Sequence, residues 1–140
     1  MRRKVLTIVV LGLVTFSLVV LPSGVSACNF IPINVPGTTV TDARGINDRG
    51  QIVGAFQDED FNYHGYVLDH GVFTGIDVFG ATSTEPQAIN RSGQVVGHFF
   101  DDSGFHGFLQ DQGVFTIINF PGALFTNATG INKEGQIVGS

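Results

Sequence analysis

The chain contains no tryptophan, one cysteine (Cys28) and, after its first four residues, only four basic side chains. Each shortage excludes something. A single cysteine forbids an intrachain disulfide, so the fold must hold together by packing. Arg44, Arg49, Arg91 and Lys133 stand against twelve acidic residues, all beyond residue 28, a net charge of −8 for that part of the chain. Phosphate neutralisation needs clustered Lys and Arg, so nucleic acid is not an expected partner. No stretch beyond residue 28 keeps a helical period long enough to propose a helix. There is no G-x-S-x-G elbow, the glycines match no P-loop, and the carboxylates lie mostly in turns. Catalytic and cofactor-binding residues are therefore expected to be none.

What the chain does have begins with a leader. "MRRK" is basic, Val5 to Leu21 is an uncharged apolar run, and "PSGVSA" ends at Ala27 with small residues at Val25 and Ala27. That is the layout of a signal peptide over 1–27, and it predicts a secreted, extracellular or periplasmic protein. The 17 apolar residues sit at the lower edge of membrane-spanning length, and the small-residue site favours cleavage over an anchor. Val25-Ser26-Ala27-Cys28 also fits a lipobox, which makes Cys28 a lipidation candidate and gives an alternative location, lipid-anchored at the cell envelope. Such a lipid would be the chain's only route to a membrane.

From residue 28 to 140 the sequence repeats. "GINDRGQIVG" at Gly45 returns as "AINRSGQVVG" at Ala88 and "GINKEGQIVG" at Gly130, so Asn47, Asn90 and Asn132 are 43 and 42 residues apart. "INVPG", "IDVFG" and "INFPG" recur with the same period, as do "DHGVFTGI" and "DQGVFTII". This divides the chain into repeat 1 at about 34–76, repeat 2 at about 77–118 and a partial repeat 3 at about 119–140. Each unit reads as short strands joined by tight turns, four strands per unit. Asn47, Asn90 and Asn132 open type I turns that Gly50, Gly93 and Gly135 close in a left-handed conformation, and Gly71 and Gly113 close further turns by the same device. Ile52 and Phe56 point one way and Val53 and Ala55 the other; Val95 and Phe99 oppose Val96 and Phe100. Apolar residues on both faces predict sheets stacked on both sides, as blades stack in a propeller. Gly54, Gly97 and Gly139, in mid-strand, mark close backbone approach.

Those elements together, GIN-x-x-GQ-V-G, HGY or HGF and PGA, resemble the HAF family of extracellular repeat proteins, bacterial secreted chains built from tandem units of this form. The resemblance covers Phe30 to Gly139. It implies an exported, propeller-like β-repeat protein and brings no activity, ligand or catalytic residue with it. Two whole units and a part of a third cannot close a ring of blades. The expected fold is all-β, four short antiparallel strands per unit, in an incomplete or open array. A fragment of a longer protein, self-association through open sheet edges, and an open stack are the three explanations of that count.

Candidates for chemistry are few. His64 and His106 recur once per unit beside a glycine and an aromatic, and read as hydrogen-bonded strand-entry residues rather than ligands. His70 and His98 do not recur, and no carboxylate constellation is visible near them. Asp58, Asp60 and Asn62 alternate like the start of a calcium loop, but Tyr63 stands where the glycine belongs and Asp69 where the glutamate belongs. They remain the weak metal candidates, with calcium as the only cofactor to consider. Asn90-Arg91-Ser92 and Asn127-Ala128-Thr129 are formal sequons that carry little weight in a bacterial chain. The expectation is a non-catalytic binding or surface-structural module, whose partner would be a glycan or a surface protein. The alternatives are a fragment of a propeller-type hydrolase or lyase with its site in missing repeats, and a calcium-stabilised adhesive protein.

Overall fold

The computed structural model describes residues 29–140, so the leader over 1–27 and the lipidation candidate Cys28 lie outside the described residues. Alternating β-branched and aromatic residues between turn signals form ten strands, and the described residues contain no helix. The first sheet runs β1 (Val40–Ile46), β2 (Ile52–Gln57), β3 (Tyr63–Asp69), β4 (Val72–Ile76) in that order, all antiparallel. The second repeats the order with β5 (Ser83–Ile89), β6 (Val95–Asp101), β7 (Gly104–Asp111) and β8 (Val114–Ile118). A third sheet has two strands, β9 (Ala128–Ile131) and β10 (Ile137–Gly139). None of the three closes on itself.

The turns explain the recurring glycines. Between β1 and β2, Gly50 donates its N–H to the Asn47 carbonyl at 2.9 Å with φ +78°, and Gly93 and Gly135 do the same to Asn90 and Asn132. The β3–β4 and β7–β8 turns differ from expectation. Asp69 pairs directly with Val72, leaving a two-residue loop in which both His70 (φ 48°) and Gly71 (φ 84°) are left-handed; Gln112 and Gly113 match them. These are type I′ turns, whose twist suits a tight hairpin, rather than a type I turn with a bulge.

Each leading strand carries a bulge at the same place. Ala43 pairs with Gly54 and Gly45 with Val53, so Arg44 is the extra residue; Gln87 and Thr129 are extra in β5 and β9. The bulge pushes the carbonyls of Asp42, Glu85 and Asn127 into the space a Cβ would fill on Gly54, Gly97 and Gly139. Only glycine permits that approach.

Successive sheets pack face to face. Strand β5 lies across β1, β2 and β3, and β9 lies across β5 and β6. Val53 from the first sheet and Ile89, Val95, Phe99 and Phe108 from the second share one buried cluster, with Ile76 beside them. Glycine again sets the spacing, since a Cβ on Gly65 would stand 2.7 Å from the Pro86 ring. The expectation of two fully covered faces holds less well farther along. Val96 is buried but Phe100 is 48% exposed.

Two glycine substitutions separate close approach from mere flexibility. Gly97→Ala forces a methyl group onto the Glu85 carbonyl and is expected to cost about 1–3 kcal/mol. Gly75→Ala, in β4, meets nothing within 4 Å and is expected to be neutral or to stabilise by up to about 1 kcal/mol. Urea unfolding of both variants checks this.

Candidate functional site

The repeated Asn does more than open a turn. Its Oδ1 accepts the N–H groups of Arg49 and Gln51, both at 3.0 Å, while its Nδ2 donates to Gln51 Oε1 at 2.8 Å. The second Nδ2 hydrogen leaves the sheet: Asn47 donates it to the Asn90 carbonyl at 3.0 Å, and Asn90 donates to the Asn132 carbonyl at 3.0 Å. The neighbouring Gln completes the device. Gln51 donates to Asp69 Oδ2 at 3.0 Å and Gln94 to Asp111 Oδ2 at 2.9 Å, tying the first hairpin of each four-stranded sheet to its third strand. The Gln51 bond, with His70 next, holds the Asp69 carboxyl below its ordinary range. Asn47, Gly50, Asn90, Gly93, Asn132 and Gly135 lie in these turns, while Gly71 and Gly113 lie in the two-residue loops beyond Asp69 and Asp111.

The repeated histidines are likewise held from both sides. His64 Nε2 lies 3.0 Å from Asp58 Oδ2 and Nδ1 3.2 Å from Asp77 Oδ2, with the ring stacked on Phe56. His106 occupies the matching place between Ser103 Oγ at 2.8 Å and Asn119 Oδ1 at 3.0 Å, beside Phe99. Burial works to lower the His64 pKa, but the bonds to Asp58 and Asp77 outweigh it and the value is raised. The same bond to His64 lowers Asp58. Of the weak metal candidates, Asp58 and Asn62 come together while Asp60 contributes its backbone. Asp58 Oδ1 accepts the N–H groups of Asp60 and Asn62, both at 2.9 Å, so its two oxygens serve the loop and His64. Among the described residues no group of three or more His, Cys, Asp or Glu side chains is placed to hold a metal.

His98 requires a correction, since a carboxylate does stand beside it. Its Nε2 lies 3.4 Å from Glu85 Oε1 and its Nδ1 2.9 Å from Asn127 Oδ1. Glu85 Oε2 meets Arg44 Nη1 at 2.6 Å, and Arg44 Nη2 lies 3.6 Å from Asp42. A polar chain therefore runs from Asp42 and Arg44 on β1 through Glu85 on β5 and His98 on β6 to Asn127, the residue before β9. His98 is buried, and Arg44 and Glu85 are largely so. The His98 N–H, followed by Arg44, lowers the Glu85 pKa to about 2 although burial opposes it. Nothing adjacent in sequence announces this group, because Glu85 and His98 pair directly across β5 and β6. The available signal was the break in the repeat: the places equivalent to His98 hold Ala55 and Ser140.

An open groove of about 500 Å³ lies elsewhere, lined chiefly by apolar groups of Ile118, Phe120, Pro121, Ile137 and Val138. It touches the polar chain only at Asn127. No family model, no curated protein and no solved structure matches the chain.

Two outcomes test this geometry. Asn90→Ala, which loses the bond to the Asn132 carbonyl as well as the turn, is expected to destabilise the dilute, monomeric chain by about 1 kcal/mol more than Asn132→Ala, which within one chain loses the turn alone. Thermal melts of the two variants decide it. For Glu85, the folded carboxyl is the more acidic, so its stabilisation is full above pH 4.5 and is lost as pH falls toward about 2. Glu85→Gln is expected to flatten that acid limb of stability against pH while lowering stability at pH 7 by about 1.5–3 kcal/mol.

Proposed function

We propose that this chain is an exported, non-catalytic β-repeat module, of the kind the HAF resemblance implies, which binds or builds at the cell surface. The observation that carries this reading is the pairing of its buried polar side chains. Among the described residues no buried side-chain nitrogen or oxygen is without a hydrogen-bond partner, and the repeated Asn, Gln, Asp and His side chains bond to each other and to backbone. These side chains are engaged in holding turns and sheets together, which suits a structural or binding role. The face-to-face succession of antiparallel sheets supports a propeller-like arrangement that remains open. Contact surface is supplied instead by apolar loop tips at Phe61, Phe79 and Leu124 and by the groove beside Phe120. The ligand class in this reading is a surface glycan or a surface protein, as aromatic loop tips suit both.

One observation favours the second reading, a fragment of a propeller-type enzyme. Arg44 and His98 depart from the repeat and, with Glu85, form a hydrogen-bonded polar group that a larger array could complete. The third, a calcium-stabilised adhesive protein, rests on the Asp58 loop.

Binding of the full chain to cell-wall polysaccharide, host glycans and extracts of surface proteins tests the module reading. Retention on one of these, unchanged in a His98→Ala variant, is the expected result; no association with any of them overturns it. A melting temperature that rises with millimolar calcium and not with magnesium would move the choice to the adhesive protein.

A further inference from the structure

The Asn clasp is made twice and prepared a third time. Asn132 bonds Gln136 Oε1 at 2.7 Å as Asn47 and Asn90 bond their glutamines, but among the described residues no carbonyl stands against its other amide hydrogen. The opposite half of the clasp is also unmatched. The Asn90 and Asn132 carbonyls each receive a glycine N–H and an Asn amide, whereas among the described residues the Asn47 carbonyl receives only Gly50.

The apolar contacts show the same two unmatched halves. Ile89 is 7% exposed and shares its cluster with Val53, which is fully buried; the equivalent of Ile89 on β1, Ile46, is 67% exposed, and the equivalent of Val53 on β10, Val138, is 66% exposed. Around Val138 lies a groove of about 560 Å³ formed with Gly130, Ile131, Asn132, Gln136 and Ile137.

We propose that a second copy of this chain covers this face, seating its Ile46 against Val138 while Asn132 donates to its Asn47 carbonyl. The contact continues, between two chains, the one already made twice within one. Charge agrees with it. Aligning the turns as they align internally sets Lys133 opposite Asp48 and Glu134 opposite Arg49, opposite signs at both places. The association is face to face rather than edge to edge, and head to tail, so it grows into a ring or a filament rather than stopping at a symmetric dimer. It stands independently of the export and ligand readings.

The test uses the full chain in sedimentation velocity. Wild type is expected to assemble with concentration. Ile46→Glu spoils the leading half and Val138→Glu the trailing half, so each variant alone is expected to remain monomeric. Their mixture retains one intact junction and is expected to give a capped 1:1 dimer, which also shows that both variants are folded. Adding Asn132→Ala to the Ile46→Glu chain should weaken that dimer about fivefold, one hydrogen bond's worth. A monomeric wild type, variants that assemble as wild type does, or a mixture that stays monomeric would each overturn the proposal.

Discussion

The side-chain amide of the repeated asparagine is the constraint on which the rest depends. It offers one acceptor and two donor hydrogens, and all three have uses. The oxygen gathers two backbone N–H groups and so forms the turn; one hydrogen fixes the following glutamine; the other reaches the next sheet. Aspartate could form the turn but has no hydrogen to donate, and serine has only one. Local turn formation and the stacking of sheets are thereby assigned to a single residue type, which is why the sequence must return to it at each unit.

Around that clasp the sheets are kept close by absence of side chain. A bulge in each leading strand turns a carbonyl toward the neighbouring strand, and glycine receives it. The aromatic bulk then fills what is left: Tyr66 and Phe108 lie buried against Phe73 and Phe115 in matching edge-on pairs. The Tyr66 hydroxyl uses the same bulge, donating to the Asp42 carbonyl at 3.1 Å. A phenylalanine in the second sheet packs in its place without that bond, so the packing, more than the hydroxyl, is what both units share.

The polar chain from Arg44 to Asn127 modifies this plan without replacing it. At the first junction Arg44 reaches forward to Glu85; at the second, His98 reaches forward to Asn127. Each junction thus has a polar tie in addition to its clasp, but from a different strand and with different chemistry. The largely buried Glu85 carboxylate is compensated from both sides, which is the condition under which such a charge can remain ionised inside a protein.

The sequence alone determined the all-β class, the strand and turn spacing and the identity of the turn glycines, because each of these answers to demands placed on adjacent residues. A left-handed φ at Gly50 or Gly93 and an alternation of two along β2 or β6 are written within a few positions of the chain. It also marked Gly54 and Gly97 as points of close approach, although not what approached them. Only the tertiary structure decided that the asparagines bond one another's carbonyls, that His98 meets Glu85, and that Asp58 faces His64. The asparagine partners, 42 or 43 residues apart, meet because one sheet lies across the next; His98 and Glu85, 13 apart, meet through the β5–β6 register that the bulge at Gln87 shifts, and Asp58 and His64, 6 apart, through the β2–β3 hairpin. The asparagine contacts are set by the stacking geometry of whole sheets, which no local pattern of residues specifies.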